Sequence, residues 1–276
     1  LPPASYRRAG VVGRGPMGVS ASRRLTASGE DGAPLHRPGS VVHAIAARAL
    51  TGYLRGVARH GTMRCLDGDA RPLDAAAIVS ALATPRSDDR PRLVVYWLAD
   101  APSIALLPFL EVAFLRSARA VTFLFDETFG GHVCAALVDE LRSRYVLLER
   151  SERPERLEQL RGVIRRGGSY AFAIDGGGPY FEVGSGVATL ARTLKAFIVT
   201  IAAVAHPALP VPHRSRISFP LPRCRMTVAI GKPIDGLNGD RRRIMAEIKA
   251  ALESLGRVVR RTPGEGPDDG STRSDP

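Results

Sequence analysis

Hydrophobic and polar positions alternate between two periods along most of this chain. Residues 40–60, "SVVHAIAARALTGYLRGVARH", repeat apolar side chains at three- and four-residue spacing and predict an amphipathic helix with Ser40 as its N-cap. "TMRCLDG" predicts a short strand, and Asp74 to Leu82 a short helix. "RLVVYW" (92–97), "AVTFLF" (120–125), "YVLLE" (145–149), "SYAFAI" (169–174), "FIVTIAAV" (197–204) and "RMTVAI" (225–230) are apolar runs of strand length. Helical patterns fall between them, at 103–116, 131–144, 155–166 and 186–195, and a last one spans 240–256. In that last segment Ile244, Ile248, Leu252 and Leu255 share one face. A Pro-rich passage leading to Pro222 is left without an element.

Strands without a polar face need cover on both sides. The pattern therefore predicts one α/β domain over about 40–261, with a mainly parallel sheet and helices on both faces. Residues 1–39, rich in Gly, Pro, Ser and Arg, read as a disordered basic tail, and 262–276, "TPGEGPDDGSTRSDP", as a disordered acidic one. The spacing of Gly13, Gly15 and Gly18 matches a dinucleotide-binding loop. The strand before it would be about three residues long, and no acidic residue ends a second strand roughly 20 residues on, so that reading is set aside.

The chain has 276 residues and a formal net charge of +12, its positive charge nearly all Arg, which reads either as attraction to phosphate-bearing or otherwise anionic partners or as the plain outcome of GC-rich coding. No aromatic-interleaved basic strand or nucleic-acid motif accompanies the charge, so no nucleic-acid partner is expected. Cys65, Cys134 and Cys224 lie far apart without a C-x-x-C pair, which argues against a zinc site or a disulfide framework and for buried thiols in a reducing compartment. No apolar run reaches 18 residues, so no membrane-spanning helix is expected, and the start lacks a charged stretch followed by an apolar core, so no signal peptide is expected.

The chemistry concentrates at "AFAIDGGGPYFEVGSG" (171–186). Asp175 closes an apolar strand, and Gly176, Gly177 and Gly178 follow it. In open α/β sheets ligands bind beyond the carboxyl ends of the strands. Bare glycine amides there form a concavity for phosphate or an oxyanion. The same residues also read as an ordinary Gly-rich turn with Asp175 as its Asx residue.

Beyond this stretch, "AIDGGGPYFEVGSGVATLARTLKAFIVTIAAVA" and "ISFPLPRCRMTVAIGKPI" resemble the C-terminal half of the lysophospholipid acyltransferase superfamily. The closer resemblance is to the bacterial group with an Asp-Gly-Pro-Arg-Gly-Pro segment. Asp175-Gly176, Pro179, Gly186 opening a helix, Pro220, Pro222, Gly231 and Pro233-Ile234 carry it, and "VVYW" (94–97) resembles the strand that ends in a Trp-His pair. The resemblance implies a glycerol-3-phosphate acyltransferase-like sheet and acyl transfer from a thioester to a lipid hydroxyl. It implies a His general base oriented by an Asp, glycines that hold the acceptor's phosphate, and work at the inner face of the cell membrane. The co-substrate would be acyl-CoA or an acyl carrier protein thioester, with no cofactor, and the partner an anionic phospholipid surface.

The chain departs from that pattern. Leu98 follows Trp97 where the His is expected, no His is followed by Asp at the fifth position, and the Arg of the glycine segment is missing. Candidate replacements are His132 at a helix start, where the dipole keeps an imidazole neutral, with Asp126 and Asp100 just past strand ends. Arg150 is a candidate phosphate contact alongside Asp175 and the three glycines. Each has a plainer reading, as a capping or surface residue or a solvated loop charge. His206 and His213 read as structural and Trp97 as core. A catalytically degenerate relative that binds lipid or a protein without turnover is the alternative function.

Overall fold

A computed structural model describes residues 41–83, 90–148, 153–164, 168–175, 179–212 and 216–261. The two tails, the Gly13–Gly18 spacing, Arg150, Gly176, Gly177, Gly178 and His213 lie outside the described residues.

The elements run α1 (Val41–Ala58), β1 (Thr62–Asp67), α2 (Ala75–Leu82), β2 (Arg92–Tyr96), α3 (Ala101–Leu110), α4 (Val112–Ala120), β3 (Val121–Asp126), α5 (Phe129–Glu140), β4 (Arg144–Leu148), α6 (Arg153–Ile164), β5 (Ser169–Ala173), α7 (Ser185–Thr193), β6 (Phe197–Pro210), β7 (Ser218–Ile230), β8 (Ile234–Asp235) and α8 (Arg241–Arg260). A single sheet takes the order β1-β7-β6-β2-β5-β3-β4, with β8 also on β6. β6, β2, β5, β3 and β4 run parallel. β7 pairs antiparallel with β6, and β1 follows β7 in parallel.

Alternation along the strands sorts their side chains onto two faces. Val94, Tyr96, Ala171, Val199 and Ile201 pack under α1, α3 and α4 on one face. Leu93, Val95, Trp97, Tyr170 and Ile198 pack under α7 and α8 on the other. Ile244, Ile248 and Leu252, predicted to share a face, are all fully buried. Each contributes about 1.5–3 kcal/mol of burial relative to an exposed position.

Local chemistry sets the element ends. Asp74 caps α2 by accepting from the Ala77 amide at 2.7 Å, and Asp240 caps α8 by accepting from that of Arg243 at 2.8 Å.

Two predicted regions take a different form. The single helix expected at 103–116 is instead α3 and α4, bent 111° apart. Glu111 adopts an extended backbone between them and its carboxylate accepts from the Ala113 amide at 3.2 Å, so it starts a new helix rather than continuing the old one. The Pro-rich passage is strand over most of its length: β6 extends to Pro210 and β7 begins at Ser218. These two strands lie at the end of the sheet where pairing is antiparallel, and a register shift between His206 and Ala208 takes up Pro207. Trp97 is core, at 7% exposure.

Candidate functional site

The chain leaves β2 for β3 over one face of the sheet, through α3 and α4, and leaves β5 for β6 over the other, through α7. The carboxyl ends of β2 and β5 therefore open on a topological switch point, where α/β sheets bind their ligands. β2 also stops early. Its pairing with β6 ends at Val95–Thr200, while β6 continues for ten more residues against β7 alone. The uncovered edge of β6, the Trp97–Asp100 turn, Phe181 and the last turns of α8 enclose a cavity of about 520 Å³.

The cavity is lined unevenly. Trp97, Phe181, Ala203, Val204, Leu252 and Val259 supply apolar wall. Arg216, Arg257 and Arg260 supply guanidinium groups, and Asp100 and Glu253 the acids. The Arg216 guanidinium lies 5.6 Å from the centroid of the Phe181 ring, which in turn meets Trp97 edge-on at 5.8 Å. Phe181 and Arg216 both hold left-handed backbones, with φ of 62° and 55°, a conformation that side chains other than glycine adopt at a cost and that clusters at functional sites.

Asp100 closes a short 3-10 turn, Leu98–Asp100, directly after β2. Burial pushes its carboxyl up to about 7, against the lowering effect of a hydrogen bond donated by the Ala203 amide and of the Arg260 charge; the nearby Asp175 carboxylate raises it further. The Ala203 amide is on the part of β6 that β2 no longer covers, so the early end of β2 explains both the cavity and the bond. A carboxyl that titrates near neutrality beside guanidinium groups can take up or release a proton at physiological pH.

Asp175 lies beneath this wall rather than in it. It is 3% exposed. Oδ1 accepts from the Leu98 amide at 2.7 Å and Oδ2 from the Phe181 amide at 2.9 Å. The first of those amides opens the Asp100 turn, and the second belongs to the aromatic wall. With both oxygens turned to main-chain donors, Asp175 touches the cavity through the residues it holds.

His132 and Asp126 do not line the cavity. His132 is in the first turn of α5, which Thr128 caps by accepting from the Gly131 amide at 3.1 Å. Its ring meets that of His43 of α1 at a tilt, with centroids 4.8 Å apart, and His43 meets Phe129 at 5.0 Å. The Nδ1 of His132 is buried with no hydrogen-bond partner among the described residues. The structure thus brings Asp100 and Asp175 together and leaves His132 and Asp126 apart from that cavity. Around the histidine pair, Val41, Val42, Ile45 and Phe129 are all more than half exposed.

Sequence reasoning missed Arg216, Arg257, Arg260 and Phe181. The arginines of α8 carried a readable signal: Arg257 and Arg260, three residues apart at the end of a helix whose other face is Ile244-Ile248-Leu252-Leu255. Thiol chemistry is disfavoured, because burial pushes Cys65 up to about 12 and Cys134 up to about 11, and raises Cys224 as well. Among the described residues no cluster of three or more His, Cys, Asp or Glu could hold a metal ion.

No protein-family model and no curated protein matches the chain. Among solved structures it is similar to the 1-acyl-sn-glycerophosphate (LPA) acyltransferase PlsC from Thermotoga maritima. The two share 11% identity over 80% of this chain and 83% of that one, with a TM-score of 0.43.

Proposed function

We propose that the chain transfers an acyl group from a thioester donor to a hydroxyl of a lysophospholipid or related anionic lipid at a membrane surface. The observation that carries this reading is the Asp100 carboxyl, held near neutrality in one cavity with Arg216, Arg257 and Arg260. The resemblance of residues 170–235 to the lysophospholipid acyltransferase superfamily supplies the reaction class.

In this reading the guanidinium groups receive the acceptor's anionic head and orient its hydroxyl toward Asp100. Ionised Asp100 accepts the hydroxyl proton as the oxygen attacks the thioester carbonyl carbon. The carbon–sulfur bond breaks, the ester forms, and the departing thiolate takes up a proton. The donor is acyl-CoA or an acyl carrier protein thioester, and no cofactor takes part.

Peripheral attachment to the inner face of the cell membrane belongs to the same reading. Val41, Ile45, Arg48 and Arg55 recur at helical spacing along the exposed side of α1, apolar at its start and cationic after it, and exposed Arg59 follows its end. Such a stripe suits an anionic headgroup layer. No single described helix is long and apolar enough to cross a membrane.

The test is transfer of labelled acyl groups from acyl-CoA to a panel of lysophospholipids. Turnover that Asp100→Asn abolishes supports the reading; no turnover with any donor and acceptor overturns it. Leu98, standing where the resemblance places a His, favours a second reading in which the cavity binds such lipids without converting them. That reading expects saturable lipid binding and no product.

A further inference from the structure

We infer that Asp175 is a positioning residue: by accepting one main-chain amide from Leu98 and one from Phe181, it fixes the separation of the Asp100 turn and the aromatic wall of the cavity. The role concerns the same cavity and rests, for its chemical use, on the reading proposed above.

The geometry is specific. The two donors belong to segments 83 residues apart in sequence, and among the described residues Asp175 is the group that binds both. The Leu98 amide is the first of the turn that ends in Asp100. Phe181 is held in a left-handed backbone, with its ring between Trp97 and Arg216. One buried carboxylate thus sets where the acid stands and where the cation rests. Two amides on one carboxylate also need both oxygens as acceptors. An amide side chain offers one acceptor and a donor, so Asn at this position turns an N–H toward an N–H.

Trp97 is the sole tryptophan of the chain, so its emission reports the cavity wall without interference. The charged groups that line the cavity with Asp100 are Arg216 before β7 and Glu253, Arg257 and Arg260 on α8, and the charges of Arg260 and of Asp175, after β5, act on it. His43 and His132 do not line the cavity.

The experiment follows Trp97 emission of the full chain from pH 5 to 9. The wild type is expected to show a step centred near 7 that Asp100→Asn removes, which assigns it. In Asp175→Asn the midpoint falls by about one pH unit, because a like charge is removed and the freed turn lets the acid reach water. Emission shifts to the red as the wall loosens. Leu98→Pro is the second probe. Trp97 is extended, with φ −74° and ψ 145°, as suits a residue before proline, and the first position of a helical turn tolerates proline. That substitution deletes the amide but keeps the Asp175 charge, and its midpoint is expected to fall as well.

An unmoved midpoint in either folded variant overturns the inference, as does the absence of an Asp100-dependent step in the wild type. If Asp175→Asn does not fold, Leu98→Pro decides. Since the measurement needs no substrate, a chain that transfers no acyl group still answers it, and the two proposals fail separately.

Discussion

Replacing Asp100 by Asn should make the protein more stable above neutrality, and by a predictable amount. In the folded chain this carboxyl titrates at about 7, against an ordinary value of 3.8. A difference of that size disfavours the charged form by about 4 kcal/mol. The side chain borders a solvent-accessible cavity, so screening reduces the effect to about 2 kcal/mol. The sign follows from proton linkage. The folded state holds the proton more tightly than the unfolded state, so the contribution to stability is complete below about pH 4. It is lost as pH rises through 7, and stays lost above. Asn cannot ionise, yet its carbonyl still accepts from the Ala203 amide, so the variant should escape that loss. Urea unfolding of both proteins should give near-equal stabilities at pH 4 and a gap of about 2 kcal/mol at pH 8 in favour of the variant, or roughly 4–8 °C in Tm. Parallel pH profiles, or a variant less stable than wild type at pH 8, would refute the assignment of a desolvated acid.

If Asp100 is the base, acyl transfer should rise with pH through about 7 and then level off, and Asp100→Asn should reduce it about 10²- to 10⁴-fold; a profile flat from pH 5 to 9 contradicts that role. Arg257→Ala and Arg260→Ala should each weaken binding of a lysophospholipid by about tenfold in calorimetry, with little change in Tm, whereas Arg48→Ala should not. Gly236→Ala should cost about 2–3 kcal/mol in chemical unfolding, because a Cβ there meets the Ala196 carbonyl oxygen at 2.6 Å and the Ala191 Cβ at 2.8 Å, neither of which can swing aside. The double change Ile45→Ser with Phe129→Ser should reduce co-flotation with anionic vesicles several-fold and leave the fold intact by circular dichroism; unchanged flotation would remove the patch from the membrane contact.

The fold was largely legible, and particular residues show why. Each apolar run of strand length, "RLVVY" and "FIVTIAA" among them, became a strand of one sheet covered on both faces. The α3–α4 elbow was hidden because helical periodicity continues through Glu111, while the break depends on a side chain capping its own successor. The strand through Pro207 and Pro210 was hidden because proline is normally excluded from sheet interiors, and only position in the sheet reveals that it is harmless here. The site was half legible. Asp100 and Asp175 were visible as acids beyond strand ends. Their partners were not, since Arg216, Phe181 and the end of α8 converge from segments far apart in sequence, and no local pattern encodes that meeting.

The mismatch in length between β2 and β6 has a consequence for how such a chamber arises or vanishes. Each residue added to the shorter strand would advance it by about 3.3 Å along its neighbour. Two extra residues would carry the ladder past Thr200 to the amide that now serves Asp100, and close the void from below. No catalytic group need change for this to happen. In this architecture, an insertion or deletion of a couple of residues at the end of one inner strand decides whether the molecule has a chamber at all.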